Sequence, residues 1–166
     1  AINLSVRQFY YHNFIPSLER IIKEAKIDPS LLHMEITESM AIDQEFATKV
    51  LRQLKNMGVK IAIDDFGTGY SSLSHLKKFP LDYLKIDQSF IRDLENVDGE
   101  QDMVSIITML AKKFNMLTIA EGVETEKHVE LLRKDDCDIM QRFFYSKPLS
   151  PDDFLQWKKN WEKQAR

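Results

Sequence analysis

Eight polar residues stand where apolar runs of this sequence end. Asn3 follows Ile2, and Glu35 lies within "LLHMEITES". Asp64 and Asp65 close "VKIAIDDF", Lys85 and Asp87 belong to "DYLKID", Glu121 follows "LTIA", and Gln141 follows "DIM". Each run reads as a strand, and successive runs lie one strand-plus-helix unit apart. In a parallel α/β fold the C-terminal strand ends share one rim, so the spacing predicts that these side chains converge. A rim of Asn, Glu and Asp without His or Cys is a hard-oxygen site, suited to Mg²⁺ or Mn²⁺ rather than Zn²⁺. Carboxylates gathered in one pocket repel unless cations neutralise them. Two divalent ions sharing an aspartate would do this, and would stabilise charge building on a phosphoryl oxygen. A lysine there complements anionic oxygens, and a further glutamate can accept a proton from water. Taken singly, every one of these residues except the Asp64–Asp65 pair has a plainer reading as a turn cap or surface group. Their recurrence along one rim reverses that preference.

The paired aspartates pose a geometric problem, because neighbours on a strand point to opposite faces. If Asp64 is the last inward-facing residue, the chain can leave strand geometry at Asp65 and both carboxylates reach the rim. Glycines at 67 and 69 make that sharp departure sterically easy.

The elements that must hold these residues alternate in type. "AINLSV" reads as a strand and "NFIPSLERIIKEAKI" as a helix with Phe14, Leu18, Ile21, Ile22 and Ala25 on its apolar stripe. "DQEFATKVLRQLKNMG" predicts a helix capped by Asp43, with Phe46, Val50, Leu51 and Leu54 inward and Gly58 ending it. A short helix "SSLSHLKKF" follows, and then "GEQDMVSIITMLAKKFN", expected to turn Met103, Ile106, Ile107, Leu110 and Phe114 inward. "TEKHVELLRKD" begins with Thr125 as cap, and "DIMQRFF" is the last strand. The closing helix "SPDDFLQWKKNWEKQ" takes Ser150 as cap and Pro151 at its first position, with Phe154, Trp157 and Trp161 expected in the core. Six strands alternating with helices predict a parallel sheet, open or closed into a barrel. An eight-stranded barrel usually needs over roughly 200 residues, so a barrel requires units beyond these.

The 166 residues are 43% hydrophobic, ample for one domain with a real core. Net charge is −3 with both signs mixed, which excludes the basic stripe of a nucleic-acid binder. One cysteine rules out a disulfide framework and suits a reducing cytoplasmic setting. Cys137 has no His placed to activate it, and the four histidines lack ligand spacing and read as structural. No apolar stretch approaches membrane-spanning length. The abrupt start at "AINLSV" reads as part of something longer, and an anchor elsewhere in a parent protein is compatible with it.

Together these motifs resemble the EAL-domain family, the cyclic-di-GMP phosphodiesterases of bacterial signalling. "INLSVRQF", "MEITES", "AIDDFGTGYSSLSHLKKFPLDYLKID", "TIAEGVET" and "QRFFYSKPLS" match family motifs in order, from residue 2 to about residue 151. The resemblance implies a TIM-like (β/α) barrel, incomplete here, with the first strands and the Glu-Ala-Leu motif, itself a ligand source, missing. Residues 1–166 then form the C-terminal two-thirds of one EAL domain. Asn3, Glu35 and Asp64 resemble ligands of a first Mg²⁺ or Mn²⁺ ion, and Asp65 the ligand of a second, with Asp64 near both. Lys85 matches the lysine beside the catalytic water and Glu121 the general base. Gln141, Arg142 and Pro148 are expected at the substrate, although Arg142 replaces the family's small glycine. Glu38 and the segment Phe66, Gly67, Thr68, Gly69, Tyr70, Ser71 and Ser72 resemble a loop coupling the metal site to homodimerisation. Asp87 and Glu124 lie in matched motifs without an assigned role.

The implied activity is hydrolysis of cyclic-di-GMP to linear pGpG, with a GGDEF or sensory domain upstream in a cytoplasmic or membrane-anchored parent. The alternative is a catalytically inactive EAL domain that senses the nucleotide or binds a protein. The 166 residues alone are expected to be inactive.

Overall fold

A computed structural model describes residues 1–37, 40, 43–67, 73–92, 94, 100–141 and 146–164. Its centre is a six-stranded parallel sheet: β1 (Ile2–Asn3), β2 (His33–Thr37), β3 (Lys60–Phe66), β4 (Tyr83–Ile86), β5 (Leu117–Ala120) and β6 (Ile139–Met140). Spatial order equals chain order, with each strand pairing the next. A doubly wound sheet reverses its order at a switch point, whereas a (β/α) barrel wall does not. The arrangement is therefore that of a barrel wall, as expected. The middle of β3 is sealed on both faces, with Ile61, Ala62 and Ile63 almost wholly buried, which is why it reads as a continuous apolar run.

The helices are α1 (Val6–Phe9), α2 (Phe14–Ala25), α3 (Gln44–Asn56), α4 (Leu73–Lys78), α5 (Gln88–Arg92), α6 (Glu100–Lys113), α7 (Glu126–Lys134) and α8 (Pro151–Gln164). Three caps act as the sequence predicts. The Asp43 carboxylate accepts from the Phe46 amide at 3.0 Å, Thr125 Oγ1 from the His128 amide at 3.0 Å, and Ser150 Oγ from the Asp153 amide at 3.3 Å. Gly58 ends α3 at φ +92, a value open to glycine.

Two core clusters lie side by side on the helix-covered face of the sheet. One gathers Ile36, Val50, Leu51, Leu54 and Ile61 around α3; the other gathers Leu84, Ile86, Val104, Ile107, Ala111 and Leu132 around α6 and α7. Leu81 packs against both.

Several expectations need correction. "AINLSV" is a strand only at Ile2–Asn3, because Ser5 caps the unforeseen helix α1 through a capping box with Gln8. Helix α5 was also not anticipated. Of the α2 stripe only Ile22 is buried, and Ile21 is exposed. In α6 the buried residues are Val104, Ile107, Thr108 and Ala111, whereas Met103, Ile106 and Met109 are exposed. Helix α6 is apolar on two faces, so periodicity finds a helix without telling which face is inward. The aromatic stripe of α8 is not core. Phe154 and Trp161 are 48% and 42% exposed, and Trp157 stacks between them with ring centroids 5.9 and 5.5 Å away. The strand "DIMQRFF" is regular at Ile139–Met140, and residues 142–145 lie outside the described ones.

Candidate active site

The strand register decides which side chains share a face. Asn3 pairs with Glu35, Glu35 with Ala62, and Ala62 with Tyr83. Partners across a parallel ladder face the same way, as do residues two apart on one strand. Asp64, two beyond Ala62, therefore shares the face of Asn3 and Glu35. So does Lys85, two beyond Tyr83. Lys85 pairs with Ile119 and Ile119 with Ile139, which brings Glu121 and Gln141 to the same face. The ladder continues to both: the Glu121 amide donates to the Ile86 carbonyl at 3.1 Å and the Gln141 amide to the Ala120 carbonyl at 2.8 Å. Along the sheet the set climbs one pleat from Glu35 to Asp64 and Lys85, then another to Glu121 and Gln141. That climb is the stagger of tilted strands in a barrel wall.

Lys85 stands at the middle step and reaches both ways. Its Nζ lies 3.0 Å from Glu35 Oε2, 2.9 Å from Asp64 Oδ1 and 2.6 Å from Glu121 Oε1. The lysine side chain is 4% exposed. Burial alone would lower its pKa, but hydrogen bonds to Glu121, Asp64 and Glu35 outweigh that and hold the ammonium well above the usual lysine value. Three residues expected at the catalytic rim thus meet on a fourth.

Asp65 joins them through a backbone irregularity. Ile63 pairs with Leu84 and Phe66 with Ile86, so Asp64 and Asp65 together stand opposite the single residue Lys85. This is a β-bulge, with one extra residue on β3. Asp65 takes φ +53, a left-handed conformation that Asp tolerates better than most residues, and its amide donates to Asp64 Oδ1 at 3.1 Å. Partial burial, then the charges of Asp64 and Asp87, push the Asp65 carboxyl up, with Lys85 opposing. Next, Gly67 has φ +97, and a Cβ there would sit 3.0 Å from the Phe90 ring, so the turn lies directly on α5. Phe66 is buried beneath it.

The other expected residues divide. Asn3 is beside Glu35 in register, and it lines an apolar groove of about 570 Å³ at the β1 edge with Arg7, Tyr11, Leu18 and Ile21. Asp87 caps α5, its Oδ1 accepting from the Ser89 amide at 2.8 Å. Burial would raise its pKa, yet the hydrogen bonds from Ser89 and Gln88 hold it below the ordinary value. Glu124, Gln141 and Pro148 are exposed and are not among the ion pairs of Lys85. Glu38, Thr68, Gly69, Tyr70, Ser71, Ser72 and Arg142 lie outside the described residues. Cys137 is half-buried, and burial pushes its thiol up, in keeping with an inert side chain.

Sequence reasoning missed two supports of the segments that carry this rim. Asp138 Oδ2 accepts from both the amide and the hydroxyl of Thr118 at 2.8 Å, and Thr118 Oγ1 accepts from the Asp138 amide at 3.0 Å. That clamp holds the two-residue β6 against β5, and with it Gln141. Gln88 is the other, packed so closely on Gly122 that a Cβ there would lie 2.7 Å from Gln88 Cβ. Neither had a spacing signal in the sequence.

The donor set is all oxygen and suits a hard divalent cation. Among the described residues no three His, Cys, Asp or Glu side chains converge as a ready ion cage. Glu35, Asp64 and Glu121 converge on the Lys85 ammonium instead.

A family model of the EAL domain matches residues 1–148. The signaling protein YkoW of Bacillus subtilis is 42% identical over 158 residues, covering 95% of this chain and 20% of its own length. Cyclic di-GMP phosphodiesterase PdeR of Escherichia coli is 37% identical over 166 residues, covering 99% and 25%. The chain thus spans about a fifth to a quarter of these relatives. Among solved structures, the PaMucR phosphodiesterase in complex with c-di-GMP superposes with a TM-score of 0.88 at 40% identity, covering 92% of this chain and 62% of that one.

Proposed function

The chain belongs to the EAL domain family, and on that premise we propose that it is the C-terminal two-thirds of a cyclic-di-GMP phosphodiesterase domain. The observation that carries this reading is the meeting of Glu35, Asp64 and Glu121, from three different strands, on the one ammonium of Lys85. Asn3, Glu35, Asp64 and Asp65 are the residues that would hold Mg²⁺ or Mn²⁺, two ions per site. When bound, the ions supply Lewis acidity toward a phosphate oxygen and neutralise the carboxylates.

The chain's own residues do the rest. Glu121 takes a proton from the attacking water, and Lys85 keeps its carboxylate aimed. The water oxygen bonds to phosphorus, and the P–O3′ bond opposite it breaks. The 3′ oxygen leaves with a proton, so one water is consumed and linear pGpG results. Gln141, Arg142 and Pro148 are proposed to contact the nucleotide.

A second copy of the chain is the proposed partner. The Gly67 turn rests on Phe90 of α5 and approaches Ile107 of α6, whose outer face exposes Met103, Ile106 and Met109. A partner on that face would be one helix away from Asp65. Glu38 and Thr68 to Ser72 complete the proposed coupling loop. No described helix is long and apolar enough to cross a membrane. From the family resemblance we propose a cytoplasmic domain beside an upstream GGDEF or sensory domain, in a parent that is itself free or membrane-anchored.

The decisive experiment incubates the intact protein with cyclic-di-GMP and either Mg²⁺ or Mn²⁺ and separates the products by chromatography. Linear pGpG is expected, lost on adding a chelator and recovered with excess metal. A folded protein that binds the nucleotide but yields no product with either metal is a sensor instead.

A further inference from the structure

The turn that carries Glu121 is held at four points. The Glu121 amide donates to Ile86, and Gly122, at φ +66, lies flush against Gln88. The Val123 amide donates to the Gln141 carbonyl at 3.3 Å. The fourth point is a side chain: the Glu124 amide donates to Nδ1 of His128 at 3.4 Å. His128 is 5% exposed and sits in the first turn of α7, where its own amide donates to Thr125 Oγ1. An imidazole nitrogen accepts a hydrogen bond only when it carries no proton, so this contact uses the neutral ring with hydrogen on Nε2. The ring thus reaches back from the helix to a main-chain amide ahead of it, just after the turn that presents Glu121 to Lys85.

We propose that His128 is a positioning residue for the reaction, fixing the turn 121–124 and so the direction from which the Glu121 carboxylate meets Lys85. This rests on the reading of Glu121 as general base given above. Of the four anchors it is the one made by a side-chain acceptor, so it can be removed without touching the main chain. Leucine fills a similar buried space but offers no acceptor. Glutamine offers its Oε1 instead.

The test compares wild type, His128→Leu, His128→Gln and Leu132→Ala in the intact protein, reading hydrogen exchange over 121–125 together with turnover of cyclic-di-GMP. His128→Leu should speed exchange in that segment and lower kcat about tenfold, with KM changed less than about twofold. His128→Gln should restore both. Leu132→Ala, which removes a wholly buried side chain from the same helix, should lower Tm without that loss of kcat. Unchanged exchange in His128→Leu overturns the proposal, as does faster exchange with unchanged kcat, or failure of Gln to restore either. If the wild type has a protected turn but no turnover, the phosphodiesterase reading fails, and exchange in the two His128 variants still decides whether His128 holds the turn.

Discussion

At Asp64 and Asp65 an extra residue in β3 does what a regular strand cannot, setting two successive aspartates opposite one lysine in the ladder. The left-handed φ of Asp65 is the local cost, and Asn tolerates that region as well as Asp does. Asp65→Asn should therefore leave Tm within a few degrees of wild type and abolish turnover. Near-normal rates would refute the role. Lys85 differs because three carboxylates depend on it. Lys85→Met should abolish turnover and also destabilise the fold by about 3 kcal/mol, since it leaves partly buried carboxylates without their cation. The folded pKa of Lys85 is raised, so its stabilisation is fully present below the unfolded lysine value and fades only as pH rises through the folded one. The deficit of Lys85→Met in urea unfolding should thus be flat between about pH 6 and pH 9. The residue types of this rim were legible because polar residues ending apolar runs are conspicuous. The bulge was only half legible: the sequence predicts a departure from the strand at Asp65 eased by glycines at 67 and 69, whereas β3 runs on to Phe66 and sets both Asp64 and Asp65 opposite Lys85.

Legibility differed among elements for a physical reason. Helix α3 has one apolar stripe, and Val50, Leu51 and Leu54 are buried as its pattern demands. Helix α6 is apolar on two faces, so its pattern fits two orientations and the sheet chooses between them. Strand β4 shows a support that spacing does not reveal. Asp82, just before it, takes Lys55 Nζ at 2.6 Å, Lys60 Nζ at 3.2 Å and the Ile61 amide at 2.9 Å, while its own main chain bonds to Ile61 and Leu117. Asp82 thus ties β4 to β3 through its carboxylate and to β5 through its main-chain carbonyl, at the end of the sheet away from the proposed catalytic rim. Burial would raise its pKa, but the hydrogen bonds from Lys55, Ile61 and Lys60 prevail and the folded value lies below the ordinary one. The unfolded chain then binds the proton more tightly, so this stabilisation is present above the unfolded aspartate value and is lost as pH falls through the folded one. Asp82→Asn should cost about 2 kcal/mol in urea unfolding at pH 7, and the difference should shrink below about pH 3. An equal deficit at both pH values would show that the charge is not what aligns the strands.

At the scale of the whole molecule, the edges of the sheet govern its behaviour. Its outer strands are β1 and β6, each of two residues, and apolar side chains lie bare beside them: Ile2 at 51%, Ile139 at 41%. The groove of about 570 Å³ along β1 extends this surface, and the aromatic row of α8 is a further exposed apolar feature. Apolar area of this kind and unpaired strand edges both favour association. The sequence pattern places the aromatic row in the core and the structure does not, because periodicity records that a face is apolar and not what covers it. The proposed catalytic rim depends on the same boundary, since Asn3, expected as a ligand, stands on the outermost strand. Prepared by itself, the 166-residue chain should elute well above its 19.5 kDa monomer mass and hydrolyse cyclic-di-GMP far more slowly than the intact protein. Substituting the exposed row, as in Phe154→Ser with Trp161→Ser, should reduce the association without restoring turnover. A monodisperse 166-residue monomer that matches the intact protein's rate would show that six strands suffice both to bound the core and to complete the site.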